Sequence, residues 1–294
     1  MPINICIIKL RIQIPEWEVR VMQRERKLEI RMEADAFRAK CNVGRYGIID
    51  IFKECGRQGY KLVRYPLGQE EKLGFILKKD KDTIIFINSS IRLARQIFTL
   101  AHEFGHSILH FAEESTFVDD GFTIGEKTSE IKEQEANYFA ACLLMPEEEV
   151  RKYLDLELQD FSEKGLNAMN IAKVMSEFNV SFEMALNRLC TLGIIDTNEK
   201  TRLDNEKVQF HVGNLLKRVG GNSKLNLPSD EIDIPSEYLE YVIYNYNHNA
   251  IPVETLKRVL QYYKLTMEDI EDKLICNTSK DDRSLEELIK EVHD

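Results

Sequence analysis

The apolar positions of the chain recur mainly at helical spacing, which predicts a largely helical protein. The longest such pattern is RLARQIFTLAHEFGHSILHF, a candidate helix of about 20 residues and roughly 30 Å in length. A second long helix is predicted in SEIKEQEANYFAACLLM and ends before Pro146. Two further helices follow in NIAKVMSEFNVSFEMALNRLCTLGII, where Ser181 is the expected cap of the second one.

Before the longest helix, three short runs have the β-rich pattern of strands: KLVRYPL, KLGFILKK and DTIIFINSS. Pro66, Gly68 and a charged KDKD turn separate them, which is typical of a small antiparallel sheet. We therefore predict an α+β fold that is mainly helical, with a small antiparallel sheet beside the longest helix. Residues 202–235 are rich in Gly, Ser, Asn, Asp and Pro and are interpreted as a linker or long loop. Residues 236–294 are predicted to form a helical C-terminal module.

Charge and cysteine content narrow the class of protein. The formal net charge of −10 argues against bulk affinity for nucleic acid or for an anionic membrane surface. The six cysteines are scattered without a CxxC pair, which favours buried thiols in a reducing compartment. The N-terminal INICIIKLRIQI is interrupted by Lys9 and Arg11 and predicts a strand rather than a signal peptide. With no apolar run long enough to span a bilayer, we expect a cytoplasmic protein.

The candidate chemistry lies in the longest helix. His102 and His106 share one helical face, about 6 Å apart along the axis, so both imidazoles can reach one metal ion. Glu103 lies between them in sequence and can accept a proton from water at the metal. The alternative is an ordinary amphipathic core helix with two hydrogen-bonded histidines. Gly105 favours the metal site, because glycine inside a helix costs about 1 kcal/mol relative to alanine and suggests a need for close approach by the sheet or by substrate.

Catalytic zinc usually has three protein ligands and one open position, so a third ligand should come from another element. Glu133 and Glu135 are the best candidates, but they point roughly 200° apart around a helix and cannot both bind one ion. For Glu135 we expect a solvated surface position. Asn137 shares a face with Glu133 and is expected to hydrogen-bond a ligand or to orient it. His110 lies about 9 Å along the axis from the middle of the histidine pair, too far to bind the same ion.

The segment FTLAHEFGHSILH, followed by EQEANYFAACLLMP, resembles the ImmA/IrrE family of zinc metallopeptidases. The strand pattern that ends in IIFINSS and the later helices fit the same family. The resemblance covers roughly residues 34–201, which are interpreted as a metallopeptidase domain that follows an N-terminal extension of residues 1–33.

Carried over to this sequence, the resemblance implies that His102, His106 and Glu133 bind one zinc ion and that Glu103 is the catalytic base. Asn137 stands where thermolysin-like enzymes have the aspartate of an ExxxD helix, so the hydrogen bond is kept and the charge is lost. Tyr138 and His110 are candidates to stabilise the oxyanion of the reaction, together with the C-terminal region.

The family also implies a function, which is regulated proteolysis. Members cleave a helix-turn-helix repressor of a mobile element or of a stress response. We therefore predict a zinc-dependent endopeptidase with a regulatory protein as substrate. The alternative is a zinc-containing sensor or protein-binding module with little proteolysis, which the intact Glu103 disfavours. A DNA-binding regulator fits worst, because the chain is acidic and has no basic recognition helix.

Overall fold

The computed structural model describes residues 22–69, 73–79, 81–110, 126–158 and 165–275. The strands are β1 (Lys61–Tyr65), β2 (Gly74–Lys79) and β3 (Asp82–Asn88). The α-helices are α1 (Arg24–Arg38), α2 (Ile51–Arg57), α3 (Leu93–His110), α4 (Glu126–Leu144), α5 (Glu147–Glu157), α6 (Ala168–Phe178), α7 (Phe182–Thr191), α8 (Thr197–Phe210), α9 (Val212–Arg218), α10 (Ser236–Asn247) and α11 (Val253–Tyr262). Short 3-10 helices span Ser223–Asn226 and Glu268–Lys273. The predicted α+β class is confirmed. None of the described helices is long and apolar enough to cross a membrane.

Local sequence signals explain where the helices of the predicted pair begin and end. The hydroxyl of Ser181 accepts a hydrogen bond from the backbone N–H of Met184, as predicted for the cap of α7. The side chain of Asn167 caps α6 in the same way. α6 ends at Asn179, which has a left-handed φ of 54° and lets the chain turn towards α7. The predicted N-terminal strand and the last predicted helix, SLEELIKEVHD, lie outside the described residues.

The sheet is mixed rather than wholly antiparallel. Its order is β1-β3-β2, with β2 antiparallel to β3 and β1 parallel to β3. The antiparallel prediction therefore holds for β2 and β3 and is wrong for β1 and β3. After β1 the chain crosses to the far edge of the sheet as β2, and a tight turn then returns it to the centre as β3. The apolar β3, with Ile85 and Ile87 fully buried, occupies the position where both edges are paired.

The segment of residues 227–233 covers the start of α3 and the outer edge of β1. The backbone N–H of Leu93 donates to the carbonyl of Leu227 at 2.8 Å. Arg64 and Asp233 exchange two backbone hydrogen bonds of 2.7 and 3.0 Å. The guanidinium of Arg64 is buried and also binds the carboxylate of Glu231 at 2.5 Å. β1 is therefore an occupied edge, whereas β2 pairs with no other described strand on its outer side.

Residues 202–235 differ from the predicted linker. They include most of α8 and all of α9, and they bury leucines in the core of the larger unit: Leu203, Leu215, Leu216 and Leu225. The division into two compact units falls between Asp233 and Ile234. The small polar residues of this segment form its turns, which hid the helical spacing of the leucines. Residues 234–275 have a separate core around Val242, Leu256 and Leu260.

Helices α3 and α4 pack closely against one another, and Gly105 allows this approach. A Cβ atom at Gly105 would lie 3.0 Å from Ala136 Cα, 3.1 Å from Ala136 O and 3.2 Å from Phe139 Cβ. Two of these atoms belong to the backbone of α4 and cannot move without the helix. The close approach at Gly105 is therefore made by α4, which carries one of the candidate metal ligands, and not by the sheet or by substrate as expected from the sequence.

Burial makes a chemical prediction for the cysteines. Cys55 and Cys142 are almost fully buried, and burial raises the pKa of Cys55 to about 12 and that of Cys142 above its usual range. Because the thiolate is the reactive form, we expect both thiols to resist alkylation in the folded protein at about pH 8 and to react after unfolding. Mass spectrometry of the labelled peptides measures this. The partly exposed Cys190 is the internal comparison, and labelling of Cys55 at the same rate in the folded chain would contradict the prediction.

Candidate metal centre

Three side chains from two helices converge on one point. His102 and His106 come from successive turns of α3, and Glu133 comes from the neighbouring α4. Their ligand atoms all lie within 4.8 Å of one another. The Nε2 atoms of the histidines are 2.9 Å apart, and the oxygens of Glu133 lie 3.2 Å from His102 Nε2 and 3.1 Å from His106 Nε2. The two imidazoles and one carboxylate are the donor set that catalytic zinc sites use.

Asn137 fixes the orientation of His102. Its Oδ1 lies 3.0 Å from His102 Nδ1, and because an amide oxygen can only accept, we assign the proton to Nδ1. His102 Nε2 is then left with its lone pair directed towards Glu133 and His106. Asn137 follows Glu133 by four positions on α4, so both side chains lie on the same face of that helix. This face therefore supplies the third ligand candidate, Glu133, and the hydrogen-bond acceptor of His102.

His110 orients His106 in a similar way. His110 Nε2 lies 3.2 Å from Glu135 Oε2, so its proton is assigned to Nε2, where it is donated to the carboxylate. Burial lowers the pKa of His110 although the hydrogen bond to Glu135 opposes this, and the ring is neutral with an accepting Nδ1. The His106 Nδ1, 3.1 Å away, is then the donor of that hydrogen bond. His106 Nε2 therefore also carries a lone pair.

These assignments test whether a cation fits the cluster. Two imidazole lone pairs 2.9 Å apart repel each other unless a cation or a shared proton lies between them. Glu133 Oε2 is buried and has no hydrogen-bond donor, although His102 Nε2 lies within ion-pair distance at 3.2 Å. His102 Nε2 cannot donate to this oxygen, because the proton of the ring is on Nδ1. Lone pairs and an anionic oxygen that face one another without protons fit a bound metal ion.

The electrostatics of the metal-free cluster agree with this fit. Burial alone would raise the pKa of Glu133, but the contacts with His102 and His106 outweigh it and hold that pKa far below its usual range. Burial likewise opposes protonation of His102, but Glu133 and Glu103 raise its pKa. The cluster therefore favours positive charge at its centre, as a proton or as a metal ion.

Glu103 is buried beside the cluster and is 4% exposed. Burial raises its pKa above the usual range, a positive charge on His102 or His106 opposes this rise, and the charge of Glu133 adds to it. A carboxylate with a raised pKa is a better proton acceptor than an exposed one. The geometry therefore combines three side chains that are compatible with a bound metal ion and a fourth, Glu103, that lies outside this set and can accept a proton.

Two of the predicted positions differ from expectation. Glu135 is 8% exposed rather than solvated, because Arg26 of α1 and His110 of α3 both bind its carboxylate. Tyr138 contacts Cys142, one turn further along α4, and Arg188 of α7, and neither contact supports an oxyanion role beside His102 and His106. Arg26 is the residue that the sequence analysis missed: it is 109 positions from Glu135, and no local pattern links the two.

Comparison with known proteins agrees with this geometry. Residues 55–190 match the family model of the IrrE N-terminal-like domain, which contains both α3 and α4. The chain is 40% identical over 74 residues to the radiation response metalloprotease IrrE of Deinococcus radiodurans, covering 24% of this chain and 22% of that protein. It is 35% identical over 95 residues to the IrrE of Deinococcus deserti, covering 32% of each.

A phage protein is similar to the chain over a segment of comparable length. The chain is 32% identical over 87 residues to the uncharacterized immunity region protein 2 of Bacillus phage phi105, covering 30% of this chain and 53% of that protein. The matches thus span between about a fifth and about half of these relatives. Within this chain, residues 55–190 are a domain of the ImmA/IrrE family of metallopeptidases.

Proposed function

We propose that this protein is a zinc-dependent endopeptidase that cleaves a regulatory protein, such as a helix-turn-helix repressor of a mobile element or of a stress response. The observation that carries the proposal is the convergence of His102, His106 and Glu133 beside the buried carboxyl of Glu103. We assign the three converging side chains as ligands of one Zn²⁺ and Glu103 as the general base. Two nitrogen ligands and one oxygen ligand with an open position are typical of catalytic zinc.

A Zn²⁺ ion in such a site supplies Lewis acidity, which polarises a carbonyl and makes water nucleophilic near neutral pH. The protein's own side chains orient the imidazoles and transfer the proton. Asn137 and His110 hold the two imidazoles with their lone pairs inward. Glu103 accepts the proton of the attacking water at its carboxylate and delivers it to the leaving amine of the cleaved peptide.

The outer edge of β2 supports a polypeptide substrate. This edge pairs with no other described strand, and α3 packs against the same strand, with Gly74 directly below Thr99. An extended peptide can add to such an edge through backbone hydrogen bonds, which bind many sequences with side-chain pockets giving selectivity. We infer that the substrate segment lies extended along β2 during cleavage.

The names of the relatives support a regulatory substrate. Two are radiation response metalloproteases, and one is named for a phage immunity region. Each name refers to a controlled cellular or phage state rather than to general protein breakdown. We therefore favour a specific regulatory protein over a broad range of unfolded substrates.

Zinc should stabilise the folded chain. A ligand that binds only the native state at about 100 times its Kd raises the free energy of unfolding by about 2.7 kcal/mol. We expect this rise on addition of Zn²⁺, its reversal by a chelator, and its loss in His106→Ala, all measured by thermal unfolding. His248→Ala, at an exposed histidine that directly follows α10, should keep the full zinc effect. An equal zinc effect in both variants would contradict the assigned ligand.

The experiment that tests the function is incubation of the zinc-loaded protein with the repressor encoded beside its gene. We expect one specific cut, detected by mass spectrometry of the fragments, which a chelator abolishes and Zn²⁺ restores. An uncut repressor that nevertheless binds the zinc-loaded protein would favour the sensor or protein-binding alternative. Cleavage that persists in the chelator would contradict a metal-dependent peptidase.

A further inference from the structure

A chain of hydrogen bonds leads from the group formed by His102, His106 and Glu133 to the surface of the protein. His106 Nδ1 contacts His110 Nδ1 at 3.1 Å, and His110 Nε2 contacts Glu135 Oε2 at 3.2 Å. Arg26 then donates from Nε to Glu135 Oε1 at 2.9 Å and from Nη2 to Glu135 Oε2 at 2.6 Å. The two inner members, His110 and Glu135, are 5% and 8% exposed, so water competes little for their hydrogen bonds.

The contact between Arg26 and Glu135 determines how Glu135 is oriented towards His110. Two parallel donors of Arg26 grip both oxygens of Glu135, which fixes the plane of the carboxylate as well as its position. Glu135 Oε2 is shared between Arg26 and His110, so this plane also sets the direction in which His110 is held. The ring of His110 in turn receives the Nδ1 proton of His106 and turns the lone pair of His106 Nε2 towards the metal point.

Arg26 belongs to α1, which lies outside the matched residues 55–190. Helix α1 packs along α4, and it reaches the metal cluster through Arg26, the described residue of that helix which binds Glu135. The side chain of Arg26 is 36% exposed, so solvent screens the charges of the pair, but its two parallel donors hold the carboxylate of Glu135 in one orientation.

We propose that α1 is a positioning element of the metal centre, coupled to it through Arg26, Glu135 and His110, so that docking of α1 strengthens metal binding. The inference rests on the proposed metal site and not on proteolysis. The coupling is reciprocal: if docked α1 favours the bound metal, the bound metal must favour docked α1 to the same degree. Anything that displaces α1 from α4 then weakens the site without touching a ligand.

The test compares two arginines of the same helix. Arg26→Ala removes the contact with Glu135, whereas Arg31→Ala removes an exposed ion pair of α1 with Glu147. Chelator competition measures the Kd for Zn²⁺ in each full-length variant. We expect Arg26→Ala to weaken zinc binding by roughly 2- to 30-fold, and His110→Ala by roughly 10- to 100-fold. Arg31→Ala should bind zinc as the wild type does.

Hydrogen exchange provides the reciprocal measurement. In the wild type, Zn²⁺ should slow exchange of the α1 amides, and this effect should be smaller in Arg26→Ala. Arg26→Lys keeps the charge but loses the two parallel donors, so it should restore the affinity only in part. Equal zinc affinities for Arg26→Ala and Arg31→Ala would overturn the coupling while leaving the metal site intact. Absence of zinc binding in the wild type would overturn the metal site itself.

Discussion

Glu103→Gln should lower the rate of the proposed cleavage reaction by roughly 10²- to 10⁴-fold, the usual contribution of a positioned general base. Glutamine has nearly the same shape but cannot accept a proton at neutral pH. The ligand set of His102, His106 and Glu133 is unchanged, so the variant should still bind one Zn²⁺. Initial rates of cleavage, measured with matched zinc occupancy, separate the loss of the base from a loss of the metal.

The matched control is Glu240→Gln, at an exposed carboxylate of α10 in the smaller unit. It makes the same chemical change far along the chain from the cluster and should cleave at the wild-type rate. If Glu103→Gln acts in cells like the wild type and still binds zinc, the peptidase proposal is wrong. The sensor or protein-binding function would then be the better description.

Gly105→Leu should separate α3 from α4 and disable the metal site. Even the Cβ atom would lie 3.0 Å from Ala136 Cα, and the rest of the leucine has no space between the helices. Such overpacking costs about 1–3 kcal/mol of folding free energy. Because Glu133 comes from α4 and both histidines from α3, the shift also draws the third ligand away. We expect a lower melting temperature without zinc and little further stabilisation when zinc is added.

A second glycine gives the matched control. Gly56 also lies inside a helix, α2, but a Cβ atom there would meet nothing within 4 Å. Gly56→Leu should therefore be neutral or stabilising, since leucine favours helix over glycine by close to 1 kcal/mol. The melting temperature of Gly105→Ala should lie between those of the two leucine variants. Alanine gains helix propensity, and this gain offsets the cost of moving the neighbouring atoms of α4 by a few tenths of an ångström. Equal melting temperatures for both leucine variants would refute the proposed role of Gly105.

The parts of the site that the sequence predicts are those set by helical spacing. His102 and His106 lie on one face because four residues make about one turn, and the same spacing relates Glu133 to Asn137. Glu133 and Glu135 point in different directions around α4, and both still contact histidines of α3: Glu133 contacts His102 and His106, and Glu135 contacts His110. The choice of Glu133 as the third ligand candidate therefore needed the family resemblance.

The parts that the sequence analysis missed depend on contacts between distant segments. The burial of Glu135 depends on Arg26, whose helix has no pattern that indicates what it packs against. The parallel pairing of β1 with β3 depends on the order of strands in space, which short connections between runs do not reveal. The fold of residues 202–235 depends on a few leucines, such as Leu215 and Leu225, among many turn-forming residues.

The outer edge of β2, which pairs with no strand in the described part of the chain, also has a consequence for self-association. An open strand edge can pair with the same edge of a second copy, and proteins often oppose this with charges on the strand. β2 ends in the consecutive lysines 78 and 79, and the exposed Lys78 lies on the strand itself. Two such edges in one short ladder would bring positive charges of both copies together and repel. An extended segment with acidic side chains meets no such repulsion, so the charge that opposes pairing of two copies would favour an acidic substrate segment at the proposed binding edge.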